Sequence, residues 1–99
     1  MSKKNFKEIS ENQIEAFVDY AERKNLSTLT QLLELGVDVN AKNTQGWTAL
    51  HKASENGNRD VVRFLLNNGA DVSITNRNGQ TAFELAEISG YSMIHSNII

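Results

Sequence analysis

"TALHKASENG", from Thr48 to Gly57, is written again as "TAFELAEISG" from Thr81 to Gly90, 33 residues further on. The two stretches share Thr, Ala, an apolar residue, a second Ala and a closing Gly at fixed spacing, while the residues between them differ. The same shift sets Gly46 on Gly79 and Val61 on Ile94. Backwards, it sets Leu32 and Leu33 on Leu65 and Leu66, Gly36 on Gly69, Asp38 on Asp71 and Asn43 on Asn76. Self-similarity at such a period marks a repeat architecture, in which each unit buries its apolar face against the next. Further upstream, Ala16 and Phe17 fall on Ala49 and Leu50, but the Thr48 position holds Glu15 and the Gly57 position holds Lys24. The pattern is that of a degenerate first unit, a full second and a shortened third.

The skeleton reads as two short helices and a turn. Thr48 and Thr81 stand where a side-chain oxygen caps a helix, and Leu50, Ala53 and Ser54 then set small or apolar groups on one face. Gly57 ends that helix, because a left-handed cap is easiest for glycine. "RDVVRFLLNNG", Arg59 to Gly69, then places Val61, Val62, Phe64, Leu65 and Leu66 at helical spacing before a second glycine stop. "ADVSITNRNGQ", Ala70 to Gln80, is polar and contains glycine, which favours a turned loop. In the degenerate unit, Ser10 with Gln13 is a capping-box pattern and Ile9 with Ile14 has hydrophobic-staple spacing. A longer helix is therefore expected from about Ser10 to Lys24 as a terminal cap, with Phe6 folded back onto it and residues 1–5 loose.

These residues resemble the ankyrin repeat, whose pattern runs from a glycine through Thr-Pro-Leu-His with alanines, a mid-repeat Gly and a Val and Leu-Leu helix to Gly-Ala. "GWTALHKASENGNRDVVRFLLNNGADV", Gly46 to Val72, follows it nearly throughout, and the resemblance covers roughly residues 14–99. Both proline positions hold alanine, Ala49 and Ala82, and the family's histidine stands as His51 but is Glu84 in the third unit. The resemblance implies an all-α solenoid of antiparallel helix pairs joined by hairpin-like loops. It would form a single domain over residues 1–99, divided into an N-terminal cap (1–13), a degenerate repeat (14–44), a full repeat (45–77) and a truncated repeat (78–99).

It further implies a non-catalytic module that binds an unidentified protein partner through loop tips and the first helix of each repeat. The implied contact residues are Asn43, Gln45, Trp47, Arg77, Asn78 and Gln80 on the tips, with Lys52, Glu55, Asn56, Leu85 and Ile88 at exposed helix positions. Trp47 is the first choice because interface hot spots favour tryptophan, although the family also uses this position to cover the hairpin. His51 is implied to be structural, bonding around the loop and helix start. Asn40 stands where ankyrin asparagines can be hydroxylated in animal cells. A structural or regulatory piece of a larger repeat array, and an enzyme with a concealed site, are the other functional classes.

Composition narrows the choice. Ninety-nine residues with 39% apolar and 22% charged residues suffice for one thin-cored domain, and a formal charge of −2 gives no reason to expect nucleic acid or an anionic membrane. There is no cysteine, hence no disulfide or thiolate zinc site. No run of about 18 apolar residues exists, and "MSKKNFKEIS" lacks the apolar segment of a signal peptide, so a cytoplasmic protein is expected. His51 and His95 are the only histidines and no HExxH, GxSxG or GxxxxGK pattern occurs. No catalytic residue, cofactor or metal ligand is expected. Asp38 and Asp71 should accept turn amides. At the end, Ile94 and Ile98 should pack inward, leaving an edge that is frayed or covered, with weak self-association as one outcome.

Overall fold

The computed structural model describes residues 9–90. Among them are five α-helices and no strand: α1 (Glu11–Ala21), α2 (Leu26–Glu34), α3 (Ala49–Glu55), α4 (Arg59–Asn67) and α5 (Ala82–Ile88). α1 pairs with α2 and α3 with α4, while α3 also packs between α1 and α5. The first helices of the three units thus stack in one layer, with α2 and α4 behind it.

The three first helices begin in the same way. Ser10, Thr48 and Thr81 are extended N-caps whose side chains accept from the amides of Gln13, His51 and Glu84, and each of those side chains returns a bond to the cap's own amide. A Ser or Thr cap of this kind is worth about 1 kcal/mol. The expected proline is absent, and the reciprocal pair defines the helix entry without it.

Stacking depends on small residues. Ala49, Ala53 and Ala86 are fully buried or nearly so, with Ala21 and Ala82 beside them, and they let the first helices approach closely. Phe17, Leu29, Leu50, Val61, Val62 and Leu65 fill the space between layers. Ile9 packs against this core, its side chain lying beside Gly36 at the end of α2.

One expectation needs correction. α1 ends at Ala21, with Glu22 as a C-cap still in right-handed geometry, rather than running to Lys24, which adopts φ 58. Its counterparts Gly57 and Gly90 have φ 70 and φ 86, so the stack imposes a left-handed turn even where the chain supplies a side chain. Phe6, residues 1–5 and the closing isoleucines lie outside the described residues.

Candidate partner-binding surface

The loops before α3 and α5 are hairpins built around one asparagine each. Asn43 N–H donates to Trp47 O (2.8 Å), Gly46 N–H donates to Asn43 O (2.9 Å), and Asn43 Oδ1 accepts from the amides of Gln45 and Trp47. Asn76 repeats the pattern with Gln80, Gly79 and Asn78. Asparagine suits this place because its carbonyl reaches amides two and four residues on without a further strand. Ahead of each hairpin, Asp38 Oδ1 accepts from Asn40 N–H and Asp71 Oδ1 from Ser73 N–H and Oγ–H. The Ser73 hydroxyl and amide hold the Asp71 carboxyl below its ordinary 3.8.

Side chains from one unit grip the hairpin of the next. The Glu15 carboxylate accepts from Thr44 N–H (2.7 Å), which holds its carboxyl below the usual 4.5. His51 is 1% exposed and does the same one unit later. Its Nδ1 accepts from Thr48 N–H (3.1 Å), so Nε2 carries the proton and donates to Gln80 O (2.9 Å). Burial lowers the His51 pKa from its ordinary 6.5, the Gln80 carbonyl opposes that shift, and the charge of Lys42 adds to it. The structural role implied for His51 is what the geometry shows. Asn40 is likewise engaged, accepting from Asp71 N–H (2.8 Å) and reaching Gly69 O (3.4 Å).

Gly46 shows how closely the hairpins stack. It has φ 85, and a Cβ there would lie 2.7 Å from Arg77 Cγ. Arg77 crosses this glycine and donates its guanidinium to Thr44 O. Thr44 is therefore held through both its amide and its carbonyl, a role that its place in the sequence does not announce.

The implied contact residues divide accordingly. Gln45, Arg77 and Asn78 are exposed on adjacent tips, with Trp47 and Gln80 half-buried behind them. Trp47 meets His51 edge to face (5.9 Å), and Lys52 Nζ lies 4.9 Å from the indole centroid. Asn43 belongs to the hairpin's framework, since its amide oxygen is taken by turn amides. Gln80 Oε1 accepts from Asn76 Nδ2. Half-buried Glu55 and exposed Asn56 and Ile88 lie at the far ends of α3 and α5, about 10 Å of helix away from the tips. Leu85, expected to be exposed, is 6% exposed: with Ala82 and Ala86 it lies on the inward face at i, i+3 and i+4.

Among the described residues no group of three or more His, Cys, Asp or Glu could hold a metal, and no helix is long and apolar enough to cross a membrane. A family model described as ankyrin repeats, three copies, matches residues 17–96. The mitochondrial disaggregase of Homo sapiens is 42% identical over 52 residues, which are 52% of this chain and 7% of that protein. The mitochondrial disaggregase of Bos taurus is 42% identical over 48 residues, 48% of this chain and again 7% of that protein. The chain thus spans less than a tenth of the length of these relatives.

Proposed function

The chain belongs to the ankyrin-repeat family, and from that premise we propose that it binds a protein partner through its hairpin tips and the adjoining face of α3 and α5, without catalysing a reaction. Ankyrin repeats are generally protein-interaction modules, and the family is generally non-catalytic. The observation that supports the specific surface is the pair of matched asparagine-centred hairpins. They fix two tips side by side while leaving Gln45, Arg77 and Asn78 exposed around a half-buried Trp47. A rigid scaffold with variable exposed side chains binds without a large ordering cost. Tryptophan flanked by a cation and by polar groups suits the centre of such a contact. A cysteine-free domain has no need of an oxidising compartment, and we assign it to the cytoplasm.

Affinity capture from the native cell tests this reading, with crosslinking to identify the contacted residues. Gln45→Glu with Asn78→Glu should abolish capture of the protein crosslinked near Trp47 while leaving the melting temperature unchanged. Capture that survives both these changes and Trp47→Ala would remove the hairpin surface from consideration. Cell fractionation that places the protein in mitochondria would overturn the cytoplasmic assignment.

A further inference from the structure

The sequence holds three Asn-Gly pairs: Asn56 with Gly57, Asn68 with Gly69 and Asn78 with Gly79. Asparagine before glycine is the pair in which an amide side chain reacts most readily with its own backbone, because glycine has no Cβ to block the approach of its nitrogen to the asparagine Cγ. Exposure does not separate the three, since Asn56, Asn68 and Asn78 are all exposed. Nor do the glycine amides: Gly57 N–H donates to Ser54 O (3.2 Å), Gly69 N–H to Leu66 O (3.1 Å) and Gly79 N–H to Asn76 O (3.0 Å). Open space beside the glycine is common to Gly69 and Gly79.

The side chains do separate them. Asn56 and Asn68 are the C-caps of α3 and α4, and each turns its Nδ2 back onto its own helix, donating to Lys52 O (2.8 Å) and to Phe64 O (2.9 Å). The nitrogen that would leave is thus held, and Cγ is fixed over the last helical turn. The chain beyond each glycine is anchored as well, with Asn58 N–H donating to Ala53 O and Ala70 N–H to Leu65 O (both 3.0 Å). Asn78 stands instead on the hairpin tip before α5. It gives its backbone amide to Asn76 Oδ1 (3.0 Å), and its side chain has no hydrogen-bond partner among the described residues. The matching place in the preceding hairpin holds Gln45, whose longer side chain would have to close a larger ring, ahead of a Gly46 that Arg77 crosses.

We propose that Asn78 is a site of spontaneous modification, converting to aspartate and isoaspartate on the folded protein. When the tip opens and frees Gly79 N–H from Asn76 O, the Gly79 nitrogen loses its proton and attacks Asn78 Cγ. The N–Cγ bond forms, the Cγ–Nδ2 bond breaks, and Nδ2 leaves as ammonia with a proton to replace the one the glycine gave up. Solvent water then opens the cyclic imide. Addition at Cγ leaves aspartate, addition at the main-chain carbonyl leaves isoaspartate, and nothing is oxidised or reduced. Either product places a carboxylate next to Arg77. Isoaspartate also adds a methylene to the main chain between Asn76 and Gln80, where the amides of residues 78 and 80 share Asn76 Oδ1. The chemistry is independent of what the hairpins bind, and its failure leaves that reading untouched.

Incubation of the full chain at mildly alkaline pH, folded and in concentrated urea, tests the assignment. Peptide mapping by mass spectrometry after digestion at acidic pH reads each site, because acid suppresses further ring closure. In the folded protein Asn78 should convert roughly tenfold faster than Asn56 or Asn68, the factor that one side-chain hydrogen bond of ordinary strength represents. In urea the three sites should converge. Isoaspartate should accompany aspartate, since direct hydrolysis of the side chain gives aspartate alone, and the rate should rise with pH as the Gly79 nitrogen is deprotonated more easily. Asn78→Gln should remove the leading acidic species. Conversion of Asn56 or Asn68 as fast as Asn78 in the folded protein, the same order of rates in urea, a product without isoaspartate, or an Asn78 that reacts only when unfolded would each overturn the proposal.

Discussion

At the scale of the residue, Ser54 is the clearest local defect. Its hydroxyl is fully buried on α3 and has no hydrogen-bond partner, while the corresponding residue of the first unit is Ala21, also fully buried. An unpartnered buried hydroxyl costs about 1–3 kcal/mol, so Ser54→Ala should raise stability by about 1 kcal/mol in urea unfolding. A loss of stability would mean that the hydroxyl bonds a group within the stack. Gly46 is the opposite case. Gly46→Ala places a Cβ at φ 85 and against Arg77, whereas Gly69→Ala places one at φ 92 in open space. Both should lose about 1 kcal/mol to backbone strain, and Gly46→Ala should lose a further ~1–2 kcal/mol by crowding Arg77 off Thr44. Equal unfolding midpoints for the two variants would show that Arg77 moves aside freely.

At the scale of the element, each helix has a local start and a distant tie. Asn25 and Asn58 occupy the same position in successive units, yet Asn25 caps its own helix and Asn58 bonds the last carbonyls of α1. Asn25→Ala should therefore lose about 1 kcal/mol and loosen α2, while Asn58→Ala should lose about 1–2 kcal/mol and loosen the contact between units. Hydrogen exchange of α1 distinguishes them: only the Asn58 change should lower the protection of its last turn. The helix starts were legible in the sequence because a capping pair spans three residues, as with Ser10 and Gln13. The period itself was legible because it repeats identities. The ties were not, since Glu15 to Thr44 and His51 to Gln80 join residues 29 apart, and Arg77 to Thr44 joins residues 33 apart. Which side chains meet depends on how far each unit rotates on the last. Leu85 was misjudged for a related reason. Its counterpart Lys52 is half-buried over Trp47, and reading Leu85 by that counterpart hid what its i, i+3, i+4 spacing with Ala82 and Ala86 shows, that α5 turns this position inward.

At the scale of the whole molecule, the stack is a chain of neighbours, and its stability is set by the interfaces between units as much as by the units themselves. His51 stands at one such interface, capping α3 with Nδ1 and reaching the third unit's hairpin with Nε2. Protonation would remove the acceptor at Nδ1 and place a charge in a buried site near Lys42, which is why burial holds the folded pKa below 6.5. The unfolded imidazole takes up a proton at its ordinary value and the folded one resists. Stabilisation from neutral His51 is therefore complete above 6.5 and is lost as the pH falls from there through the folded value. Glu15 and Asp71 act in a separate, lower window. Their carboxyl values are depressed, so their contributions are present above the ordinary 4.5 and 3.8 and are lost as the pH falls through the folded values. Between about pH 7.5 and about pH 5.5, His51 should then account for a fall in the unfolding midpoint, and His51→Gln should flatten it. Glutamine is the informative replacement because Gln13 already returns the cap bond in the first unit without titrating. The loss should also be directional. Because protonation removes the Nδ1 acceptor that caps α3 while Nε2 keeps its proton and its bond to Gln80 O, acidification should lower the exchange protection of the first turn of α3 before that of α1 and α2, after correction for intrinsic rates. Uniform loss across all five helices would instead show that the described repeats open as one unit and that the His51 interface is no weaker than the others.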